Sequence, residues 1–257
     1  MKKYKGYLID LDGTMYRGNE PIEAAREFVN HLHNKKIPYV FVTNNSSRTQ
    51  EDISLKLNNM GVPSTPEQVV NSSAATAIYL NGLKKGASCY VIGEEGLQVA
   101  LEDEGLLITE EDNCDFVVMG IDRNVTYEKY TKACLAIRKG ATFIATNNDK
   151  AIPTERGLLP GNGALVSVVT VSTGAKPIII GKPESIIMEA ALSKLVLNKE
   201  DIAMIGDNYD TDICAGINAG MDTIMVFTGV TSVEELPDLK IKPTYHVSSL
   251  QEWMEFI

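Results

Sequence analysis

The chain has 257 residues, of which 44% are hydrophobic and 23% charged, with a formal net charge of −10 at pH 7. These proportions are ordinary for a folded globular protein of one large or two modest domains, and they exclude mainly disordered, collagen-like and coiled-coil chains. So acidic a surface repels nucleic-acid backbones and anionic membranes, and an anionic substrate would need local positive charge at its site.

Short continuous apolar runs predict strands buried on both faces of a parallel sheet. Towards the two ends of the chain these runs lie at residues 7–9, 39–42, 178–180 and 202–205. The stretches between them predict helices at 21–34, from a capping box at 47–50 to a stop at Gly61, and at about 184–196 with Pro183 at the first helical position. Alternating strands and helices indicate an α/β fold.

The middle of the chain, from about 76 to 178, repeats this alternation. Strands are predicted at 89–92, 116–119 and 142–145, and helices near 94–104, 127–139 and 163–172, with Thr126 as the N-cap of the second helix. The segment is long enough to form its own core. We therefore expect residues 1–75 and 179–257 to form one discontinuous domain and residues 76–178 to form an inserted one.

Polar residues follow four of the predicted strands, at the ends where open α/β sheets bind ligands. The sharpest group is Asp10-Leu11-Asp12-Gly13-Thr14. In an extended chain Asp10 and Asp12 point to the same side, which suits one carboxylate as a nucleophile and the other as a general acid and base. A turn or a helix cap is the alternative interpretation of this group.

Two further strand ends predict a phosphate site. Thr43, Asn44 and Asn45 offer a hydroxyl, two amides and backbone N–H groups just before a predicted helix, although helix capping alone also explains them. Lys182 follows the run at 178–180 and can act as a point charge for phosphate or be a solvated loop lysine.

The segment from Gly206 to Asp212 carries three carboxylates, which are ligands that hard divalent cations prefer. Asp207 directly follows a predicted strand, Asp212 can orient its neighbours, and Asp210 is expected to be a solvated surface charge. An acidic helix start is the alternative interpretation. If the segment and Asp10 share one site, Mg²⁺ and a lysine would offset their negative charges.

Taken in order, D-x-D-G-T, a hydrophobic run ending in T-N-N, G-K-P and G-D-x-x-x-x-D resemble the motifs of the haloacid dehalogenase superfamily. The resemblance implies a Rossmann-like parallel-sheet core and phosphoryl-transfer chemistry. Asp10 would attack phosphorus and form an aspartyl-phosphate. Asp12 would protonate the leaving oxygen and later activate water.

The same resemblance implies how the substrate and the cofactor are held. Thr43 and Lys182 would bind the phosphoryl oxygens, with Asn44 helping through its backbone. Mg²⁺ is the implied cofactor, and its ligands would be Asp10, the Asp12 carbonyl and Asp207, supported by Asp212 and Asn208.

Motif spacing indicates where the second domain is inserted. Asp12 and Thr43 are 31 positions apart, room for one helical crossover, whereas Thr43 and Lys182 are 139 positions apart. This arrangement is similar to the subgroup with a large α/β cap between the second and third motifs, the NagD-like or para-nitrophenyl phosphatase-like hydrolases. The cap of that subgroup selects the leaving group. Asn147 and Asp149, after a predicted cap strand, are our candidates for substrate contact, with a loop and helix cap as the alternative.

The motifs together predict a Mg²⁺-dependent phosphatase of small phosphorylated metabolites, such as sugar or sugar-acid phosphates, phosphoglycolate, nucleoside monophosphates and para-nitrophenyl phosphate. A receiver-like phospho-signalling protein and a catalytically silent phosphate-binding protein are the alternatives. No apolar run is long enough to span a bilayer, and four well-separated cysteines favour free thiols in a reducing compartment. We expect a cytoplasmic monomer or homodimer without a nucleic-acid or membrane partner.

Overall fold

The computed structural model describes residues 2–154 and 156–257. Its strands, in chain order, are β1 (Gly6–Ile9), β2 (Tyr16–Arg17), β3 (Glu20–Pro21), β4 (Tyr39–Thr43), β5 (Val69–Asn71), β6 (Ser88–Ile92), β7 (Leu107–Ile108), β8 (Phe116–Met119), β9 (Thr142–Ala145), β10 (Ala151–Thr154), β11 (Gly157–Pro160), β12 (Ile178–Ile179), β13 (Ile202–Gly206), β14 (Asp222–Val226) and β15 (Tyr245–Val247). Its α-helices are α1 (Glu23–Asn34), α2 (Gln50–Asn59), α3 (Ser72–Leu83), α4 (Glu95–Asp103), α5 (Tyr127–Arg138), α6 (Asn162–Thr173), α7 (Ser185–Leu192), α8 (Cys214–Asn218) and α9 (Leu250–Met254). A π-helical turn, Tyr209–Ile213, leads directly into α8. None of the helices in these described ranges is long and apolar enough to cross a lipid bilayer.

The chain divides into two compact units. The first comprises the residues up to Thr43 together with Glu51–Val70 and Lys182–Ile257. The second comprises Asn44–Gln50 and Asn71–Gly181. Each unit has its own sheet and its own hydrophobic core, so each is described separately.

The first unit is built on a six-stranded sheet in the order β15-β14-β13-β1-β4-β5. β1 lies between β13 and β4 and is parallel to both, with Ile9 opposite Ile205 and Phe41. Every residue of these three strands is buried, which explains their continuous apolar sequences. Because parallel strands end at the same edge, Asp10 after β1 and Asp207 after β13 emerge together.

Aromatic residues fill the core of the first unit. The side chains of Tyr7, Phe28, Phe41 and Trp253 are all at most 1% exposed. The Tyr7 and Phe28 rings meet edge to face with centroids 5.5 Å apart, an arrangement that contributes about 0.5–1.5 kcal/mol beyond simple burial. Trp253 Nε1 donates to the Tyr7 hydroxyl at 3.3 Å, so α9 is fixed against the strand that carries Asp10.

The second unit contains a five-stranded sheet in the order β12-β9-β8-β6-β7, in which the paired strands are parallel. A separate antiparallel hairpin is formed by β10 and β11. Thr126 caps α5 as predicted, because its side chain accepts a hydrogen bond from the Lys129 N–H. The predicted α/β class with a parallel, Rossmann-like sheet is confirmed. Buried side chains of the sheet and of α6 form the core of this unit, among them Ile92, Val117, Met119, Val166 and Val169.

Two predicted helix starts are wrong. α2 begins at Gln50, so Ser47 is not its N-cap, and the Ser47 N–H instead donates to Asn45 Oδ1 at 2.9 Å. α7 begins at Ser185, so Pro183 lies before the helix and not at its first position. In both places a short loop separates the strand end from the helix.

Candidate active site

Asp10 lies immediately after β1, and its N–H continues the pairing with β13 by donating to the Ile205 carbonyl at 2.9 Å. The residue is 6% exposed. Its Oδ1 accepts from Lys182 Nζ at 2.5 Å, whereas its Oδ2 is buried and has no hydrogen-bond partner among the residues that the structure describes. A buried carboxylate oxygen without a donor is costly unless a cation or a substrate group faces it. Oδ2 is therefore an oxygen that a cation or a substrate group could satisfy.

Lys182 supplies positive charge inside the site, although it is only 2% exposed. Its Nζ donates to the Val42 carbonyl at 3.0 Å and forms ion pairs with Asp10 Oδ1 at 2.5 Å and Asp212 Oδ1 at 2.7 Å. Burial alone lowers the pKa of a lysine, but here the two carboxylates outweigh burial and raise the pKa of Lys182 above its ordinary value. Lys182 is therefore charged throughout the physiological pH range.

Asp207 follows β13 and is fully buried. The Thr14 hydroxyl donates to Asp207 Oδ1 at 2.9 Å, and the Val230 N–H donates to Oδ2 at 2.7 Å. These donors favour the ionised carboxylate, yet burial first and repulsion from Asp212 second raise the pKa of Asp207 above its ordinary value. The site thus holds a carboxylate that a further positive charge would stabilise.

The π-helical turn after β13 brings Asp212 back to the strand end. The Asn208 N–H donates to Asp212 Oδ2 at 3.0 Å, while Oδ1 faces Lys182. Gly206 makes this approach possible, since a Cβ on that residue would lie 2.2 Å from the Asp212 Cβ. Single π-helical turns of this kind occur frequently at functional sites.

One carboxylate oxygen from each of Asp10, Asp207 and Asp212 lies within 4.8 Å of the other two, and all three residues are buried. Burial and then repulsion from Asp212 raise the pKa of Asp10, with Lys182 opposing the shift. Lys182 forms ion pairs with two of these three carboxylates, and Asp10 Oδ2 lacks a donor in the part of the chain that the structure describes. An oxygen-only donor set of this charge fits a hard divalent cation.

The other predicted residues of the first unit differ in exposure. Asp12 lies in the turn between β1 and β2 and is exposed, and the three-carboxylate group found among the described residues does not include it. Thr43 is the last residue of β4 and is 3% exposed. Asn208 is half-buried, and its Oδ1 accepts from the Asp210 N–H at 3.1 Å. Asp10 and Asp12 therefore occupy different environments, one buried and one open to solvent.

Asn44, Asn147 and Asp149, the remaining predicted substrate residues, lie together in the second unit. Asn44 Nδ2 donates to Asp149 Oδ1 at 3.1 Å, and Asn147 Nδ2 donates to the Asn44 carbonyl at 2.8 Å. The Asp149 N–H donates in turn to Asn147 Oδ1 at 3.1 Å. Each of these residues therefore helps to hold the loop after β9, whatever else it contacts.

Sequence reasoning missed two donors to Asp207. Thr14 belongs to the D-x-D-G-T motif, so the motif itself was the signal that its hydroxyl serves the site. Val230 contributes only its backbone N–H, and a backbone donor cannot be recognised from the type of side chain. Gly13, at φ +94°, completes the contact, because a Cβ there would lie 2.5 Å from Asp207 Oδ2.

Comparison with known proteins agrees with this geometry. A family model described as haloacid dehalogenase-like hydrolase matches residues 7–107, and one described as HAD-hydrolase-like matches residues 179–253. The 5′-nucleotidase YutF of Bacillus subtilis is 60% identical over 257 residues, which is 100% of both chains. An acid sugar phosphatase of Staphylococcus haemolyticus is 54% identical over 97% of this chain and 95% of its own.

A solved structure that is less similar in sequence has the same fold. The p-nitrophenyl phosphatase of Archaeoglobus fulgidus is 34% identical and superimposes with a TM-score of 0.95 over 100% of both chains. Relatives that match across the whole chain carry phosphatase names, so the resemblance inferred from the four motifs is confirmed. The chain belongs to the haloacid dehalogenase-like hydrolases and is a phosphatase of their NagD-like subgroup.

Proposed function

We propose that this phosphatase hydrolyses small phosphomonoesters with the help of Mg²⁺ and through an aspartyl-phosphate on Asp10. The observation that carries the proposal is the state of the Asp10 carboxylate. Its Oδ1 is neutralised by Lys182, and its buried Oδ2 has no donor in the described ranges 2–154 and 156–257. A nucleophilic carboxylate needs this combination, in which one oxygen is held and the other keeps its lone pairs for the phosphorus atom.

The same residues make a divalent cation the expected cofactor. Mg²⁺ would be held by Asp10, Asp207 and the Asp12 carbonyl, and Asp212 and Asn208 would orient those ligands. When bound, the cation supplies positive charge to the carboxylates and to the phosphoryl oxygens, which a chain of net charge −10 otherwise repels. Because burial raises the pKa of Asp10 and of Asp207, the cation also favours their ionised forms at neutral pH.

In the first half of the reaction, Asp10 Oδ2 forms a bond to phosphorus and the bond from phosphorus to the ester oxygen breaks. Asp12, which is open to solvent, gives its proton to the leaving oxygen, so an alcohol departs. Lys182, Thr43 and the Asn44 N–H hold the non-bridging phosphoryl oxygens during transfer. Their role is to stabilise the charge that develops on these oxygens.

In the second half, Asp12 is a carboxylate and removes a proton from water. The water oxygen bonds to phosphorus, the bond from phosphorus to Asp10 Oδ2 breaks, and orthophosphate leaves. Asp10 returns as a carboxylate and Asp12 as an acid, so the cycle is balanced. The difference in burial between Asp10 and Asp12 supports this division between a nucleophile and a proton carrier.

The proposed substrates are small phosphorylated metabolites. Relatives named 5′-nucleotidase, acid sugar phosphatase and p-nitrophenyl phosphatase direct attention first to nucleoside monophosphates and sugar phosphates. Sugar-acid phosphates and phosphoglycolate belong in the same screen. Contact of Asn147 and Asp149 with the leaving group stays a prediction.

A phosphate-release screen tests the proposal. The purified protein is incubated with each candidate ester and with para-nitrophenyl phosphate, once in Mg²⁺ and once in excess chelator. We expect turnover in Mg²⁺, loss of turnover in chelator, and recovery when Mg²⁺ is restored. Hydrolysis that continues undiminished in chelator would contradict the metal dependence.

Trapping the intermediate separates the alternatives. Rapid acid quenching during turnover should capture one phosphoryl group on the peptide that contains Asp10. A phosphoryl group that persists long after the substrate is consumed would favour a signalling receiver. Binding of Mg²⁺ and phosphate without any hydrolysis would favour a silent binding protein.

A further inference from the structure

The loop that follows β14, residues 228–231, contacts both acid-bearing loops of the first unit. We refer to it as the 228–231 loop. It reaches the turn after β1 through a side chain and the loop after β13 through its backbone. The mechanism proposed above gives this loop no role, and its sequence, Thr-Gly-Val-Thr, contains no ionisable group.

Towards β1, the contact is made by Thr228. Its hydroxyl donates to the Gly13 carbonyl at 2.6 Å. Gly13 has a positive φ of 94°, which few residues other than glycine adopt, so the direction of its carbonyl depends on external partners. The next residue, Thr14, donates to Asp207 Oδ1 at 2.9 Å. The Thr228 hydroxyl therefore fixes the turn that contains both Asp12 and Thr14, the residue that donates to Asp207.

Towards β13, the loop holds Asp207 from two sides. The Val230 N–H donates to Asp207 Oδ2 at 2.7 Å, and the Thr231 N–H donates to the Asp207 carbonyl at 3.2 Å. Thr231 Oγ1 also accepts from the Tyr209 N–H at 2.9 Å, which fixes the beginning of the π-helical turn. At Gly229 a Cβ would lie 1.9 Å from Asp207 Oδ2, so the backbone itself is packed against the carboxylate.

The outer side of the loop is held as well. Arg17, on β2, donates from Nε to the Thr228 carbonyl at 2.8 Å. Thr228 is thus bonded to the turn after β1 by its side chain and to β2 by its backbone. Its hydroxyl links the turn after β1 to the 228–231 loop, and the backbone of that loop in turn holds Asp207.

Fixed spacing matters here because like charges at close range repel. The carboxylates of Asp10, Asp207 and Asp212 move apart unless donors hold them, and a displacement of about 1 Å at a reacting centre reduces rates by roughly a hundredfold. Partners outside the ligand shell of a metal generally set the affinity of the site for the ion.

We propose that Thr228 is a positioning residue. Its hydroxyl couples the turn that carries Asp12 to the 228–231 loop, whose backbone holds Asp207. This coupling sets the spacing of the cation-binding carboxylates. The proposal rests on the proposed function, because it assigns Thr228 a role in the same site. It concerns a side chain whose hydroxyl donates to a backbone carbonyl, that of Gly13.

The experiment compares T228V, T228A and T228S with the unmodified protein. T228V removes the hydroxyl and keeps the volume, T228A removes both, and T228S keeps the hydroxyl. Thr131 provides a matched control, since its hydroxyl donates to the Tyr127 carbonyl at 3.0 Å within α5 of the second unit. T131V deletes a hydrogen bond of the same kind away from the site.

Two readouts are required. Calorimetry measures the Kd for Mg²⁺ without substrate, and initial rates give kcat and KM for para-nitrophenyl phosphate over a range of Mg²⁺ concentrations. We expect T228V and T228A to raise the Kd for Mg²⁺ and to lower kcat each by roughly 10–100-fold, with Tm lowered by at most about 4 °C. T228S should remain within about threefold of the unmodified protein in both readouts, and T131V should not differ from it.

Some outcomes overturn the proposal. The proposal is wrong if T228V and T228A bind Mg²⁺ as tightly as the unmodified protein. It is also wrong if T228S binds Mg²⁺ as weakly as T228A, because the missing methyl group, and not the hydroxyl, would then be responsible. If T228V does not fold, the comparison of T228A with T228S decides in the same way. Weakened Mg²⁺ binding in T228A, in a protein that hydrolyses no phosphomonoester, would refute the proposed function and leave Thr228 its positioning role. Normal turnover in T228A would refute the role of Thr228 and leave the proposed function standing.

Discussion

The two sheets of this protein both carry polar residues after their strands, but they satisfy those residues differently. In the first unit the strand ends present Asp10 and Asp207, which are buried charges. In the second unit the end of β9 leads into Thr146 and Asn147, which are buried but neutral. The same parallel architecture therefore supports a cluster of buried carboxylates in one unit and, after β9 of the other, a hydrogen-bonded loop whose fully buried side chains are neutral.

Each unit also contains a buried side-chain oxygen of Asp or Asn that has no hydrogen-bond partner among the described residues. In the first unit it is Oδ2 of Asp10, and in the second it is Oδ1 of Asn162. Asn162 is otherwise anchored, because its Nδ2 donates to the carbonyls of Asn147 at 2.9 Å and Met119 at 3.1 Å. An unsatisfied neutral amide oxygen costs a few kcal/mol at most, whereas an unsatisfied carboxylate calls for a cation. Charge, and not burial, distinguishes the two oxygens.

The largest expected effect is the loss of hydrolysis in D10N. The amide preserves the shape of the side chain but cannot form the ester bond to phosphorus, so kcat should fall by roughly 10⁴-fold or more. D210N is the matched control, since Asp210 lies exposed in the same region of sequence as Asp207, and its kcat should not change. Phosphate release from para-nitrophenyl phosphate measures both, and substantial activity in D10N would break the distinction between the two units.

Next in size is the effect of K182M on stability. Removing the buried cation leaves Asp10 and Asp212 without their ion-pair partner, so the free energy of unfolding should fall by about 3–5 kcal/mol. The exposed Lys176 gives a control, and K176M should change stability by less than about 0.5 kcal/mol. Urea denaturation of the metal-free proteins is the measurement. A K182M variant as stable as the unmodified protein would show that the ion pairs contribute little.

A smaller effect concerns pH. Because the pKa of Asp10 is raised on folding, the folded protein binds its proton more tightly than the unfolded chain does. The unmodified, metal-free protein should therefore lose stability relative to D10N as pH rises from the unfolded value of 3.8 through the raised pKa. Urea denaturation at pH 4.5 and 7.5 should show D10N gaining on the unmodified protein at the higher pH. A D10N variant that instead loses stability relative to the unmodified protein as the pH rises would contradict the raised pKa.

The smallest effect is expected in the second unit. N147A removes the donor to the Asn44 carbonyl and the acceptor of the Asp149 N–H, and should lower the free energy of unfolding by about 1–3 kcal/mol. If Asn147 also contacts the leaving group, KM rises while kcat stays within about threefold. N148A is the control, because Asn148 is exposed. A large fall in kcat would instead give the loop after β9 a part in the chemistry.

Much of the first sheet and of its site is readable from the sequence, because buried parallel strands leave continuous apolar runs. The cores of β1, β4 and β13 follow directly from such runs. β14 begins with Asp222 and Thr223, and β15 has only three residues, so neither leaves that signal. α3 is also hidden, because its small residues are buried on most sides and show no apolar stripe.

Long-range contacts limit what the sequence can predict about the loops. Residues Asn44–Gln50 belong to the second unit, although they directly follow a strand of the first. They are fixed there by bonds such as that from the Ile121 N–H to Ser46 Oγ at 3.2 Å. The partners of such polar residues lie far away in the chain, so no local pattern reports them. Asp212 was expected to support its neighbours, but its place beside Lys182 depends on a π-helical turn that no motif announces.

The central position of β1 has a consequence for biosynthesis. β1 is made first, and β4 follows soon enough to pair with it on one side. Its other partner, β13, emerges about 200 residues later, which at roughly 5–20 residues per second means a delay of about 10–40 s. During that interval one edge of an apolar strand is unpaired on the ribosome, and no phosphatase centre exists. A nascent chain halted before β13 would therefore be inactive as a phosphatase and prone to aggregate.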